Sequence, residues 1–113
     1  MHDSCKSEWI DRDARRFVKA YVIYLGDILD EAQYQIYKEH VAPNISDAGG
    51  KYLVRGGDAK SLEGELPTSR TVILEFPSRQ AALAWYQSEE YGEIKKLREG
   101  AAQATIYIVD GLD

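Results

Sequence analysis

This sequence predicts an α+β fold, a four-stranded antiparallel sheet with its helices on one face, and three observations carry the prediction. Strand-like and helix-like stretches alternate in the order βαββαβ. The strand stretches are apolar on both faces instead of alternating cleanly. Two glycine pairs bracket the second strand in Gly49-Gly50-Lys51-Tyr52-Leu53-Val54-Arg55-Gly56-Gly57, a placement that implies positive φ or a close backbone approach at each end.

The first strand is expected over residues 17–25, opening at Phe17 and apolar almost throughout. Asp27 or Asp30 caps a helix from Glu31 to about Val41, where Tyr34, Tyr37 and Val41 fall on one stripe. Pro43 is expected to kink or restart that helix, which ends before Gly49-Gly50. The second strand covers about residues 51–57, and a short strand-like piece is expected at 61–63 in the loop after it. The third strand, 71–76, puts Val72, Leu74 and Phe76 on one face and Thr71, Ile73 and Glu75 on the other. Ser78 caps a second helix through Gln87, and Ser88 caps a helical stretch over 89–99 that Gly100 closes. The last strand, 104–109, alternates Ile106 and Ile108 with Tyr107 and Val109. Two βαβ units in this order make the ferredoxin-like arrangement.

The chain of 113 residues is long enough for one domain with a modest core. Residues 1–16 read as an N-terminal arm with a short helix capped by Ser7, and 17–113 as a single ferredoxin-like domain. A formal charge of −5 argues against a nucleic-acid surface. No apolar run reaches membrane-spanning length, and the N-terminus lacks the apolar core of a secretory signal. Cys5 is the single cysteine, so no intrachain disulfide can form and a cytoplasmic location is the default.

A sheet covered by helices on one side should carry one polar face, yet Tyr21, Ile23 and Leu25 oppose Ala20, Val22 and Tyr24 on the first strand. The last strand repeats the pattern. A second copy packed sheet against sheet is the simplest cover, so a homodimer is expected.

The ordered set Lys19-Ala20-Tyr21-Val22, Gly49-Gly50, Arg55-Gly56-Gly57, Leu62-Glu63-Gly64, Arg70, Glu75-Phe76-Pro77-Ser78, Ala84-Trp85-Tyr86, Ser88, Tyr91 and Leu97-Arg98 resembles the bacterial family called domain of unknown function 1330. That family lies within the dimeric α/β-barrel superfamily. The resemblance covers roughly residues 18–111. This chain has Glu89-Glu90 where the family often has proline, and no aromatic near Leu66. The resemblance implies the fold and a dimer; it implies no reaction.

Arg55, Glu63, Arg70, Glu75 and Arg98 are charged residues in or beside apolar elements. One reading pairs Glu63 and Glu75 with arginines as structural braces. The other makes Glu63, Glu75 and Arg55 the candidate catalytic set, an arginine gripping a carboxylate or enolate while a glutamate moves a proton. Tyr37, Arg70, Trp85, Tyr86, Tyr91 and Arg98 are the candidate substrate-binding residues, for a small anionic or aromatic molecule held between helices and sheet. His40, the one histidine within residues 17–113, reads as a surface residue, with general base or haem ligand as the alternative. No metal-ligand spacing and no phosphate-loop fingerprint occurs, so no cofactor is expected. Two functions stay open: a cofactor-independent isomerase or monooxygenase-like enzyme, and a non-catalytic dimeric ligand-binding or accessory module.

Overall fold

A computed structural model describes residues 18–112. The expected arm, its capping Ser7, and Cys5 and Phe17 lie outside them. The elements run β1 (Ala20–Ile28), α1 (Glu31–Asp47), β2 (Lys51–Arg55), β3 (Arg70–Phe76), α2 (Arg79–Tyr86), α3 (Glu89–Lys96) and β4 (Ala102–Asp110). The sheet order is β2-β3-β1-β4, antiparallel throughout, which is the ferredoxin-like topology expected from the element order.

Each helix starts on a side chain that accepts one of the backbone N–H groups the first turn leaves unpaired. Asp30 accepts from Gln33, Ser78 from Ala81 and Ser88 from Tyr91, all at 3.1 Å. Ser88 also splits the second helical region into α2 and α3, its hydroxyl donating to the Trp85 carbonyl at 2.7 Å. α1 departs from expectation: it neither stops nor restarts at Pro43 but continues to Asp47. Pro43 is on the exposed side, where water can serve the carbonyl its missing N–H leaves free, while Val41 and Ile45 stay buried.

β1 runs three residues further than expected because Asp27 and Ile28 still pair with Gln103 and Ala102 of β4. The second strand ends at Arg55, before its glycines, and residues 61–63 form no strand. α3 ends at Lys96, with turns from there to Gly100.

Ala20, Val22 and Tyr24 of β1 and Val72, Leu74 and Phe76 of β3 face the helices. All but Ala20 join one core cluster with Tyr34, Tyr37, Val41, Ile45, Ala82, Trp85 and Tyr91. The opposite face is open. Tyr21, Ile23, Leu25 and Ile73 are half-buried there, while Leu53, Tyr107 and Val109 are 47%, 49% and 45% exposed. Among the described residues no helix is long and apolar enough to cross a membrane.

β2 carries one irregularity. It pairs with β3 as Tyr52↔Leu74 and then Val54↔Ile73 and Arg55↔Val72, so a bulge lies between Tyr52 and Val54. Strict alternation would put Arg55 on the face opposite Tyr52, three residues earlier. The extra residue brings both to the helix side.

Candidate functional site

A cleft opens between the inner side of α1 and the sheet. Its walls are mainly Tyr24, Tyr34, Tyr37, Tyr52, Trp85 and Tyr91, floored by Val22, Val72, Leu74 and Ile106. Its free volume is about 440 Å³ counted to the mouth, but the centre of a water molecule fits in only about 40 Å³ of it. The space suits a small or flat group.

The cleft's charge is one-sided. Lys38, Arg55 and Arg70 line it, and among the described residues no Asp, Glu or His does. Arg55, turned inward by the bulge, lies over the Tyr52 ring with its guanidinium carbon 4.5 Å from the centroid, and donates to the Lys38 carbonyl at 3.4 Å. Arg70, first residue of β3, lies 5.4 Å from the Tyr34 centroid. Gly56 (φ +70°) makes room for it: a β-carbon there would sit 2.7 Å from the Arg70 Cζ. Arg98 follows α3, its Cζ 5.6 Å from the Tyr37 centroid and 5.9 Å from that of Tyr24.

The phenols form a buried polar layer. The Tyr37 and Tyr91 hydroxyls are 3.0 Å apart and share a hydrogen bond. Burial, then the nearby Tyr91 hydroxyl, pushes the Tyr37 phenol well above its ordinary range, and Arg98 offsets only part of this. The Tyr24 phenol is likewise raised, first by burial and then by Tyr34, against the opposing fields of Arg98 and Arg70. Tyr52 is raised by burial, with Arg55 opposing. Burial opposes the charge of Arg98, but the Tyr91 and Tyr37 hydroxyls prevail, so it is a permanent cation.

Three polar atoms of this region are buried without a hydrogen-bond partner among the described residues: the Tyr24 hydroxyl, Arg70 Nε and Arg98 Nε. Buried polar groups are normally paired, so three orphans around one tyrosine mark a place where acceptors are wanted.

Of the candidate residues, the fold brings Tyr37, Arg55, Arg70, Trp85 and Tyr91 into the cleft lining, and sets Arg98 against two of its tyrosines. It does not bring the two glutamates. Glu75 is on the open sheet face, directly across from Tyr21 and Lys51 in register. Its cationic partners among the described residues are lysines instead of the expected arginine: Lys19 and Lys51 each stand 3.5 Å away, and the Tyr21 hydroxyl donates at 3.4 Å. Burial would raise its pKa, but the two lysines prevail and hold its carboxyl below the usual range. Glu63 is exposed in the loop between β2 and β3 and does not line the cleft. Tyr86 opens on a separate groove beside β4 and accepts from Lys95 Nζ at 3.1 Å. His40 is exposed, its Nδ1 2.9 Å from the Ile36 carbonyl oxygen.

Sequence reasoning overlooks Tyr24, Tyr52 and Lys38 as site residues. For Tyr24 a signal exists. Gly26 follows it by two in the same strand, and a β-carbon at Gly26 would sit 2.7 Å from the Tyr24 hydroxyl. A tyrosine laid along a strand over a glycine is aimed along the sheet, not across it.

The chain is thus a ferredoxin-like α+β domain with an aromatic, cationic cleft between its first helix and its sheet. It belongs to the family described as Domain of unknown function (DUF1330), which matches residues 19–112. Among solved structures it is similar to a protein of unknown function from Rhodopseudomonas palustris, with 19% identity over 100% of this chain and 95% of that one, at a TM-score of 0.70. A candidate antibiotic biosynthesis monooxygenase from Caulobacter crescentus is 10% identical over 92% and 99% of the two chains, with a TM-score of 0.56. A second protein so described, from Nitrosomonas europaea, is 15% identical over 85% and 91%, with a TM-score of 0.51. At these identities the likeness is one of fold. No curated protein matches the sequence.

Proposed function

We propose that this protein binds a small organic anion with an apolar or aromatic body in the cleft between α1 and the sheet. One observation carries the reading: the Nε of Arg70, in the cleft lining, and the Nε of Arg98, beside it, are buried without acceptors at a cleft with no acidic residue in its described lining. A guanidinium N–H buried without an acceptor is costly, and a bound anion is the natural compensation. The tyrosine walls and apolar floor supply contact area for the ligand's body. Binding is favoured over proton transfer because neither Glu63 nor Glu75 lines the cleft, and its raised phenols stay protonated at neutral pH and so offer no base.

The same reading includes a homodimer through the open sheet face. Leu53, Tyr107 and Val109 stand exposed beside Tyr21, Ile23, Leu25 and Ile73, a broad apolar surface of the kind a second copy covers. The test of ligand binding is a thermal-shift and calorimetric screen against small aliphatic and aromatic carboxylates and phosphates, with neutral analogues as controls. Stabilisation by anions but not by their neutral counterparts, lost in Arg70→Gln, is the expected result. Equal response to neutral analogues, or none to any anion, rejects the reading.

A further inference from the structure

The Tyr24 hydroxyl, Arg70 Nε and Arg98 Nε are buried without hydrogen-bond partners among the described residues. The Tyr24 hydroxyl lies over Gly26, which pairs with Arg70 across the sheet, and the Arg98 Cζ is 5.9 Å from the Tyr24 ring centroid. Among the described residues neither arginine has a carboxylate in salt-bridge range; the acids that pair do so with Lys19, Lys51, Lys96 and Arg79. We infer that Tyr24, Arg70 and Arg98 form a subsite for a doubly charged tetrahedral oxyanion, the phosphate of a small phosphomonoester whose body lies along the tyrosine walls.

The inference rests on the cleft being an anion site, and it goes further by fixing the head group. Two permanent cations around one neutral hydroxyl are matched in charge by a dianion, and three donors are matched in number by the three terminal oxygens of a phosphomonoester. A carboxylate offers one charge and two oxygens. Tyr24 is suited to donate because its phenol stays protonated at neutral pH. Two glycines shape the subsite: Gly26 lets the Tyr24 ring lie over the strand, and Gly56 lets the Arg70 guanidinium settle beside it.

The pH behaviour separates charge from shape. The raised phenols of Tyr24, Tyr37 and Tyr52 stay neutral and the raised Arg98 stays charged between pH 5 and 8, and among the described residues no imidazole or carboxylate lines the cleft. Any change in affinity over that range therefore belongs to the ligand, whose second ionisation lies near about pH 6.

The probes are phenyl phosphate, phenyl sulfate with the same shape but one charge, and benzoate. Calorimetry on the full chain should show one phenyl phosphate per chain, bound at least about tenfold tighter than phenyl sulfate. Its affinity should rise from pH 5 to pH 7 while that of phenyl sulfate stays flat. Tyr24→Phe should weaken phenyl phosphate about tenfold without lowering the unliganded Tm, because the deleted hydroxyl has no partner to lose. Arg98→Gln should bring phenyl phosphate down to the level of phenyl sulfate. Phenyl sulfate or benzoate binding as tightly as phenyl phosphate, or full affinity in Tyr24→Phe, overturns the dianion subsite while leaving an anion cleft. Failure of every anion to bind removes both.

Discussion

Gly56 lies directly beside the guanidinium of Arg70, with no room for even one added carbon between them. Its φ of +70° is a conformation that side-chain-bearing residues seldom adopt. Gly56→Ala should therefore cost about 1 kcal/mol or more in urea unfolding, since backbone strain and the clash act together. It should also displace Arg70 and weaken anion binding. Wild-type affinity in a destabilised Gly56→Ala protein would show that Arg70 is not part of the site.

Two tyrosines in one layer should respond oppositely to losing their hydroxyls. Tyr37 shares a buried hydrogen bond with Tyr91, so Tyr37→Phe strands the Tyr91 hydroxyl and should cost about 1–2 kcal/mol. Tyr24→Phe removes an unpartnered group and should leave stability unchanged or raise it. Equal losses in the two variants, measured by chemical denaturation, would contradict this arrangement of the layer.

Alkaline unfolding depends on the same phenols. Tyr24, Tyr37 and Tyr52 have folded pKa values above the ordinary 10.0, so they stay neutral in the folded chain when the unfolded chain begins to ionise. Stability is unaffected below about pH 10 and falls as pH rises beyond it. Ultraviolet titration should show the phenols of Tyr24, Tyr37 and Tyr52 ionising together with loss of structure. Smooth independent titration of all tyrosines in a folded protein would be the contrary result.

On the acid side the sign reverses. Lys19 and Lys51 depress the folded pKa of Glu75, so its contribution is present above the ordinary carboxylate pKa of 4.5 and is lost as pH falls through the depressed value. Glu75→Gln should flatten the acid limb of the stability profile and leave ligand affinity unchanged, because Glu75 is on the far side of the sheet. A large loss of binding in Glu75→Gln would mean that the open face and the cleft communicate.

Association through the open face is tested by Val109→Glu, which places a charge among exposed apolar residues next to Tyr21 in the pairing register. Sedimentation equilibrium should show a dimer for the wild type and a monomer for the variant, with far-ultraviolet dichroism unchanged. A wild-type monomer at micromolar concentration would refute the proposed interface.

Much of this architecture can be read from residue order, since strand alternation and helix spacing are local properties. Serine caps at 78 and 88 mark two helix starts because the chemistry of a cap is confined to three residues. The site is harder. Glu75 stands out as a charge in an apolar strand, and its parity with Ile73, opposite Val72 and Leu74, is legible. What parity alone does not say is which face the helices cover. Arg55 stands out as well, but its direction depends on a bulge that alternation does not forecast. Long-range pairings leave no local trace either, such as Trp85 Nε1 donating to Asn44 Oδ1 at 2.8 Å.

The bulge between Tyr52 and Val54 has a consequence for how this protein can change. Because side chains alternate across a strand, the bulge and not the residue count alone decides which side of the sheet Arg55 takes. If the strand paired regularly at its present length, with Leu53 opposite Ile73, Arg55 would pass to the other side of the sheet and leave an anion reader with one fewer cation. Loss of Leu53 would instead remove the bulge and leave Tyr52 and Arg55 two positions apart on the same side. The segment can lose its bulge residue and keep the cation in the cleft, but it cannot keep that residue and lose the bulge.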